Sequence, residues 1–432
     1  MKSSWLWGAL ALGACGKVLE TPVDGNGDDA TTDAPPDVPV RGTLRVTVLD
    51  RTGSGAPAVG IPVVFVEPDG TVSRAATDSN GQCEAEVFPG TSVTSVTTVS
   101  NGKQMFTVLA VSPGDDVVLG QTNPDETTAG TFTVSWPAVG GANDYTIFGP
   151  CGFQDSTAGT VTTKAITLRN SCNPTSMELL VQARNNANAT LGFSSKANVA
   201  VAAGSTAMPG FVGGISFTGS FTNISHTTNL TMTRRAPEGF GFSDSVTKDV
   251  SALTTTTASA IVPSTGSARV ETFLTGPQGD SQVIRQRLAG NASTYGLDVA
   301  AIALPWLTAP ALDVAGRTIT IGADPTGTSG EAPDLVQTNI GWRRGATSYG
   351  WVVFGPSFEQ ISLVALPDEL ADGLPIASDN ITTVRAVAYD ADTIPNYAAI
   401  REGVGPALVT TLDDAPHSAA PLVRTSTSPP GN

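Results

Sequence analysis

An all-β architecture of several sandwich domains is what this sequence predicts, and three observations predict it. Short runs of apolar residues alternate with polar ones at period two, as in Leu44, Val46 and Val48, which is the signature of a half-buried strand. Turn pairs that supply the positive φ of tight hairpins, such as Asp69-Gly70 and Asn80-Gly81, separate those runs. Charged residues make up only 14% of the chain while Gly numbers 46 and Pro 30, a profile that favours strands and turns over amphipathic helices. The 432 residues allow about three or four domains.

The chain opens on Lys2 and an apolar stretch from Trp5 to Gly13, well short of the ~20 residues a membrane-spanning helix needs. Leu12-Gly13-Ala14-Cys15 closes that stretch and resembles the lipobox of bacterial lipoproteins. The resemblance implies a signal peptide over residues 1–14, a diacylglycerol thioether on Cys15, and an acylated new N-terminus. An ordinary secretory leader cut after Ala14 is the alternative, although Leu12 stands where a small residue is wanted. One acyl chain holds a protein only marginally, at ~0.8 kcal/mol per buried methylene, and the family's three chains would make release negligible. Gly16 is not the Asp that the family associates with inner-membrane retention, so the resemblance implies an outer-membrane lipoprotein, periplasmic or surface-exposed.

Residues 15–40 carry Glu20, Asp24, Asp28, Asp29, Asp33 and Asp37 against Lys17, with many Pro and Gly and few large apolar residues. Such a segment buries too little surface to offset its ordering entropy and is expected to be a disordered acidic linker. From Arg41 the period-two pattern sets in. Strands are expected at Leu44 to Val48, Gly60 to Val66 and Gln82 to Phe88. The order Gly-x-Pro-Val-x-Phe, Asp-Gly, Thr-Asp-x-Asn-Gly, Pro-Gly over 41–120 resembles carboxypeptidase regulatory-like and bacterial immunoglobulin-like domains, in which the Thr-Asp-x-Asn-Gly run is a structural turn. Cys83 alternates with Ala85 and Val87 opposite Glu84 and Glu86, which reads as a small core residue rather than a reactive thiol.

Residues 121–205 resemble a fibronectin type III domain. Phe132, Val134 and Trp136 share one strand face, Tyr145 and Ile147 another, and Met177, Leu179, Val181 and Ala183 a third. The family's corner tyrosine is absent, with Met177 at about its place. Cys151 and Cys172 lie in this unit and are candidates for a disulfide in an oxidising compartment. The interval from Trp136 to Tyr145 and Ile147-Phe148-Gly149-Pro150 recurs from Trp342 to Trp351 and Val353-Phe354-Gly355-Pro356. Two copies suggest duplicated sandwich halves with Trp136, Tyr145, Trp342 and Trp351 as core. Exposed as a pair, such aromatics would instead make a sugar-stacking platform. Further sandwich domains are expected at 209–305 and 306–413, a short helical turn at Pro367 to Leu370, and a disordered tail at 414–432.

Chemistry is sparse. The two histidines, His226 and His417, belong to no zinc spacing or Gly-x-Ser-x-Gly elbow, and His226 is expected at the surface. Asp390 and Asp392 share one side of an expected strand end. They leave three readings open: a glycosidase-like acid pair, a calcium site, or solvated acids. No catalytic, cofactor or metal residue is assigned. Asp and Glu total 39 against 23 Lys and Arg, for a net charge of −16, which argues against nucleic acid as a partner. The expected role is a lipid-anchored, non-enzymatic envelope protein that meets the membrane through its lipid and a protein or glycan through its domains. A carbohydrate-binding accessory protein and a carboxylate-dependent hydrolase are the alternatives.

Overall fold

In the computed structural model, the structure describes residues 40–49, 56–99, 102–120, 127–149, 153–170, 174–235, 243–263, 268–288, 292–324, 332–356, 360–394, 396–401 and 422–431. The leader, Cys15, the acidic segment up to Pro39, Cys151, Cys172 and His417 lie outside the described residues. The chain is all-β, and its first strands are β1 (Gly42–Val48), β2 (Pro62–Val66), β3 (Val72–Ala76), β4 (Gln82–Val87), β5 (Thr91–Val99), β6 (Gly102–Val111) and β7 (Asp116–Leu119). β4, β1 and β7 form a three-stranded sheet in which Val46 faces Cys83. The turn before β4 is fixed by Asp78, whose Oδ1 accepts the N–H groups of Asn80 and Gln82. Those bonds hold its carboxyl below the usual range. Gly81 supplies the positive φ of 70°.

A self-contained sandwich follows, made of β8 (Thr128–Ser135), β9 (Asp144–Phe148), β10 (Gln154–Ala158), β11 (Thr163–Arg169), β12 (Ser176–Arg184), β13 (Thr190–Ala200) and β14 (Ser205–Ala207). The sheet β11-β8-β14 faces the sheet β10-β9-β12-β13 across its own core of Phe132, Val134, Ile147, Leu179 and Val181.

β15 (Ile215–Thr222), β16 (Asn229–Arg235), β17 (Ser243–Asp249), β18 (Thr255–Val262), β19 (Ala268–Thr275), β20 (Ser281–Leu288) and β21 (Thr294–Asp298) come next, then the single-turn helix α1 (Val299–Ile302), capped by the Asp298 carboxylate. The last elements are β22 (Ala311–Asp313), β23 (Thr318–Thr320), β24 (Leu335–Arg344), β25 (Thr347–Gly355), β26 (Gln360–Ser362), β27 (Asn380–Ala391), α2 (Tyr397–Arg401) and β28 (Leu422–Thr427). A 3-10 turn at Ala371–Gly373 follows the expected helical turn by one residue. The helices α1 and α2 were not expected from the sequence.

The organising feature is a twelve-stranded sheet ordered β17-β16-β19-β20-β28-β27-β24-β25-β6-β5-β2-β3. It joins strands from 41–120, 209–305 and 306–413 edge to edge. Near its middle both faces are covered, so strands there are apolar at successive positions. On β27, Val384, Ala386 and Ala388 pack to one side, with Trp342, Trp351 and Ile361, whereas Tyr389 and Ala391 pack to the other, with Leu44, Val46 and Phe106. The sheet β4-β1-β7 lies on that second side. The small sheets β18-β15-β21 and β22-β23-β26 supply cores on the first side.

Two expectations are corrected here. The tail expected to be disordered over 414–432 contains β28, paired on both sides in the long sheet. Its Leu-Val-Arg-Thr-Ser-Thr run is β-branched enough for a strand once ladders are offered on both edges. Duplicated halves are also not what the two aromatic repeats build. Trp136 is followed by Pro137, which cannot donate to a ladder, and the chain crosses to the facing sheet before Tyr145. After Trp342, Gly345 at φ 62° closes a hairpin, and β24 and β25 stay neighbours in one sheet.

Candidate functional site

Each residue weighed for chemistry can now be placed by its surroundings. Asp390 is 6% exposed and Asp392 is exposed, so the acids do not make a matched pair. Asp390 Oδ2 accepts from Arg424 Nε at 2.8 Å and also from Arg424 Nη2, while Arg424 Nη1 donates to the Ile302 carbonyl. Arg424 is itself 4% exposed, so both charges of this pair are held inside the protein. The acid-pair reading therefore loses one member to a structural ion pair.

His226 is corrected from a surface residue to a buried one. Its Nε2 lies 2.8 Å from Asp280 Oδ2, and its ring packs on Trp306 at 4.5 Å between centroids. Asp280 is itself buried and accepts the Gln278 N–H. The pair ties the turn at 276–280 to the strand approach at 226, which accounts for polar groups inside a core. Among the described residues, no group of three or more His, Cys, Asp or Glu side chains is gathered as for a metal ion.

The aromatics are packing residues in this geometry. Trp136, at 5% exposure, meets Tyr145 at 5.5 Å across the small sandwich, and the Tyr145 hydroxyl accepts the Val139 N–H. That hydroxyl pins the crossing loop. Trp342 and Trp351 are 1% and 0% exposed. Trp342 stacks on Tyr349 at an interplanar 5°, Arg344 covers Tyr349 and grips Asp379 through two nitrogens, and Trp351 Nε1 donates to Thr107. Trp306 is likewise 0% exposed. None of the three rings is open for a sugar to stack on.

Cys83 is buried beside Val46 and Val87, and burial pushes its thiol up to about 11. Arg234 stands near the end of β16. It lies 2% exposed over the Phe217 ring and donates to the Pro263 carbonyl, and burial pulls its pKa down.

What the fold leaves open is backbone. β3 ends the long sheet at one edge, and all its residues but Ala75 are exposed. Arg74 on that strand pairs with Glu369, a charge placed where an edge is most apt to recruit another strand. β17 ends the sheet at the opposite edge. An edge strand with free N–H and C=O groups is the surface on which an extended segment of a partner can add.

No protein-family model matches the chain, and no curated protein matches it. Among solved structures it is similar to the Bacillus anthracis TIE protein, at 12% identity and TM-score 0.16, over 60% of this chain and 51% of that one. A tetra-tandem repeat from the extending region of a large adhesion protein matches at 13% identity and TM-score 0.14, over 81% and 95%. BcpA, the major pilin subunit of Bacillus cereus, matches at 12% and 0.14, over 60% and 98%. This chain thus spans about half the length of the first of these proteins. Scores this low assign no function.

Proposed function

We propose that this is a non-enzymatic, lipid-anchored cell-envelope protein whose β modules act in protein or surface interaction. The observation that carries the reading is how the fold uses the candidate chemical groups. Asp390 is neutralised by Arg424, His226 is held by Asp280, and Trp306, Trp342 and Trp351 are buried. Uncovered backbone at β3 supports recognition through the sheet edge. Support for the anchor is the Leu12-Gly13-Ala14-Cys15 motif followed by an acidic, Pro-rich stretch long enough to stand folded modules off a bilayer. Among the described residues no helix is long and apolar enough to cross a membrane. On this reading the chain is an outer-membrane lipoprotein, and Cys151 and Cys172 pair in its oxidising surroundings.

The test is detergent partitioning of the wild type against Cys15→Ala, with mass spectrometry of the mature N-terminus. The expected result is a diacylglyceryl thioether on Cys15 and a variant that moves to the aqueous phase. A free thiol on the mature protein, or unchanged partitioning of the variant, overturns the anchor. Turnover of a polysaccharide or ester by the purified protein, lost in Asp390→Asn, overturns the non-enzymatic part.

A further inference from the structure

We infer that the slot between β20 and β27 is a strand-acceptor site, and that the segment filling it can be supplied by a second copy of this chain. In the described structure that segment is the chain's own residues 422–431. β28 pairs antiparallel with β20 at six positions, from Ser281↔Thr427 to Gln286↔Leu422, and with β27 at five, from Val387↔Thr427 to Ala391↔Val423. β20 and β27 do not pair with each other. The last strand among the described residues therefore sits inside the sheet, and it bridges the strands built from 209–305 to those built from 306–413. Without it, two ladders would face each other across one strand's width, each with unpaired N–H and C=O groups. Such a gap selects for an added strand.

The slot reads side chains as well as backbone. Arg424 is received by Asp390 and the Ile302 carbonyl, Ser426 Oγ donates to Pro305 O at 2.8 Å, and Val423 enters the core on the opposite face. Beyond the strand, Ser428 exchanges hydrogen bonds with Ala386, its N–H donating to the carbonyl and its Oγ accepting the N–H. Gly431 donates to the Val384 carbonyl, and any Cβ there would fall on the Pro310 carbonyl. These sockets recognise Arg-x-Ser-x-Ser followed three residues later by Gly. Arg424, Thr425, Ser426 and Ser428 are all buried, so the segment is polar and soluble when out of the slot.

Chain length permits the exchange. The Asp392 N–H donates to the Leu422 carbonyl, so the approach from Arg401 to Leu422 is no longer than the stretch 392–401. At ~3.3 Å per residue that is at most about 30 Å. The connection through 402–421 has a contour of roughly 70 Å by the same rule. It is more than twice as long as the intramolecular path requires. A closed path would be served by a shorter link at lower closure entropy, whereas the extra length lets the strand reach the slot of a neighbouring copy.

Ser281 and Thr427 face each other across β20 and β28, and both are half-buried. Full-length Ser281→Cys protein carrying heavy nitrogen is co-refolded with full-length Thr427→Cys protein at natural abundance, then oxidised mildly. Mass spectrometry is expected to find a disulfide-linked peptide pair joining heavy position 281 to light position 427. A chain carrying both substitutions shows that the bond can form in register. In a second measurement, a fluorescent peptide of sequence Leu422 to Asn432 is refolded with wild-type chain. Saturable uptake is expected, weakened more than about tenfold by Arg424→Ala in the peptide, as for a lost charged hydrogen bond. Either positive result supports the exchange. A link confined to the doubly substituted chain together with no peptide uptake overturns it.

Discussion

Arg424 and Asp390 show how much a single residue can carry in a β protein with few charges. Both are almost fully buried, and Arg424 spends its donors on Asp390 and on the Ile302 carbonyl. Removing one partner leaves a desolvated charge, so Arg424→Met is expected to lose about 3–5 kcal/mol of stability. The double change Asp390→Leu with Arg424→Met removes both charges and is expected to recover most of that loss. Denaturant melts of the three proteins check it, and equal losses for the single and double variants would contradict it. Neither this pair nor His226–Asp280 could be read from the sequence. Their members stand 34 and 54 residues apart, and nothing in local spacing links them. Cys83 was legible, because a strand's alternation by itself decides which side of β4 the thiol takes.

Strands were legible as elements where period two is clean. β1 and β4 fall where alternation and turn residues place them. β28 was missed because its hydroxyl-rich sequence is flanked by Pro and Ser, a composition shared with unstructured tails. Apart from the hairpin of β2 and β3 at Asp69-Gly70, element pairing was not legible. β6 and β25 lie parallel, Gly102 opposite Ser348, and a Cβ at Gly102 would fall on the Ser348 carbonyl. Gly102→Ala is therefore expected to push β6 off β25 and cost about 1–3 kcal/mol. Gly130→Ala on β8, where nothing lies within 4 Å, is the matched control and is expected to be neutral or slightly stabilising. Chemical unfolding distinguishes them. An unchanged midpoint for Gly102→Ala would mean that this junction is looser than the described ladder.

At the scale of the molecule, one sheet runs through three of the four segments that the sequence suggests as separate modules, while 127–208 keeps a core of its own. Cooperative units follow shared cores and ladders. Calorimetry is expected to resolve two transitions, the smaller belonging to 127–208, with hydrogen exchange over 127–208 reporting the smaller event alone. Three or four separate transitions would contradict a common sheet. The function proposed for the chain fits this build, since a long sheet ending in the edge strands β3 and β17 offers backbone to a partner.

By itself the sequence determined the class of the protein: alternation, turn pairs and low charge leave little besides strands to be made. It also determined the motif at Cys15 that suggests a lipid. Which strands become neighbours was decided only by the tertiary structure. A strand's side-chain period says which face is buried but carries no label for its partner, because backbone N–H and C=O groups are the same at every residue. So β28 could be found between β20 and β27, and the guanidinium of Arg424 against Asp390, only once the chain had folded.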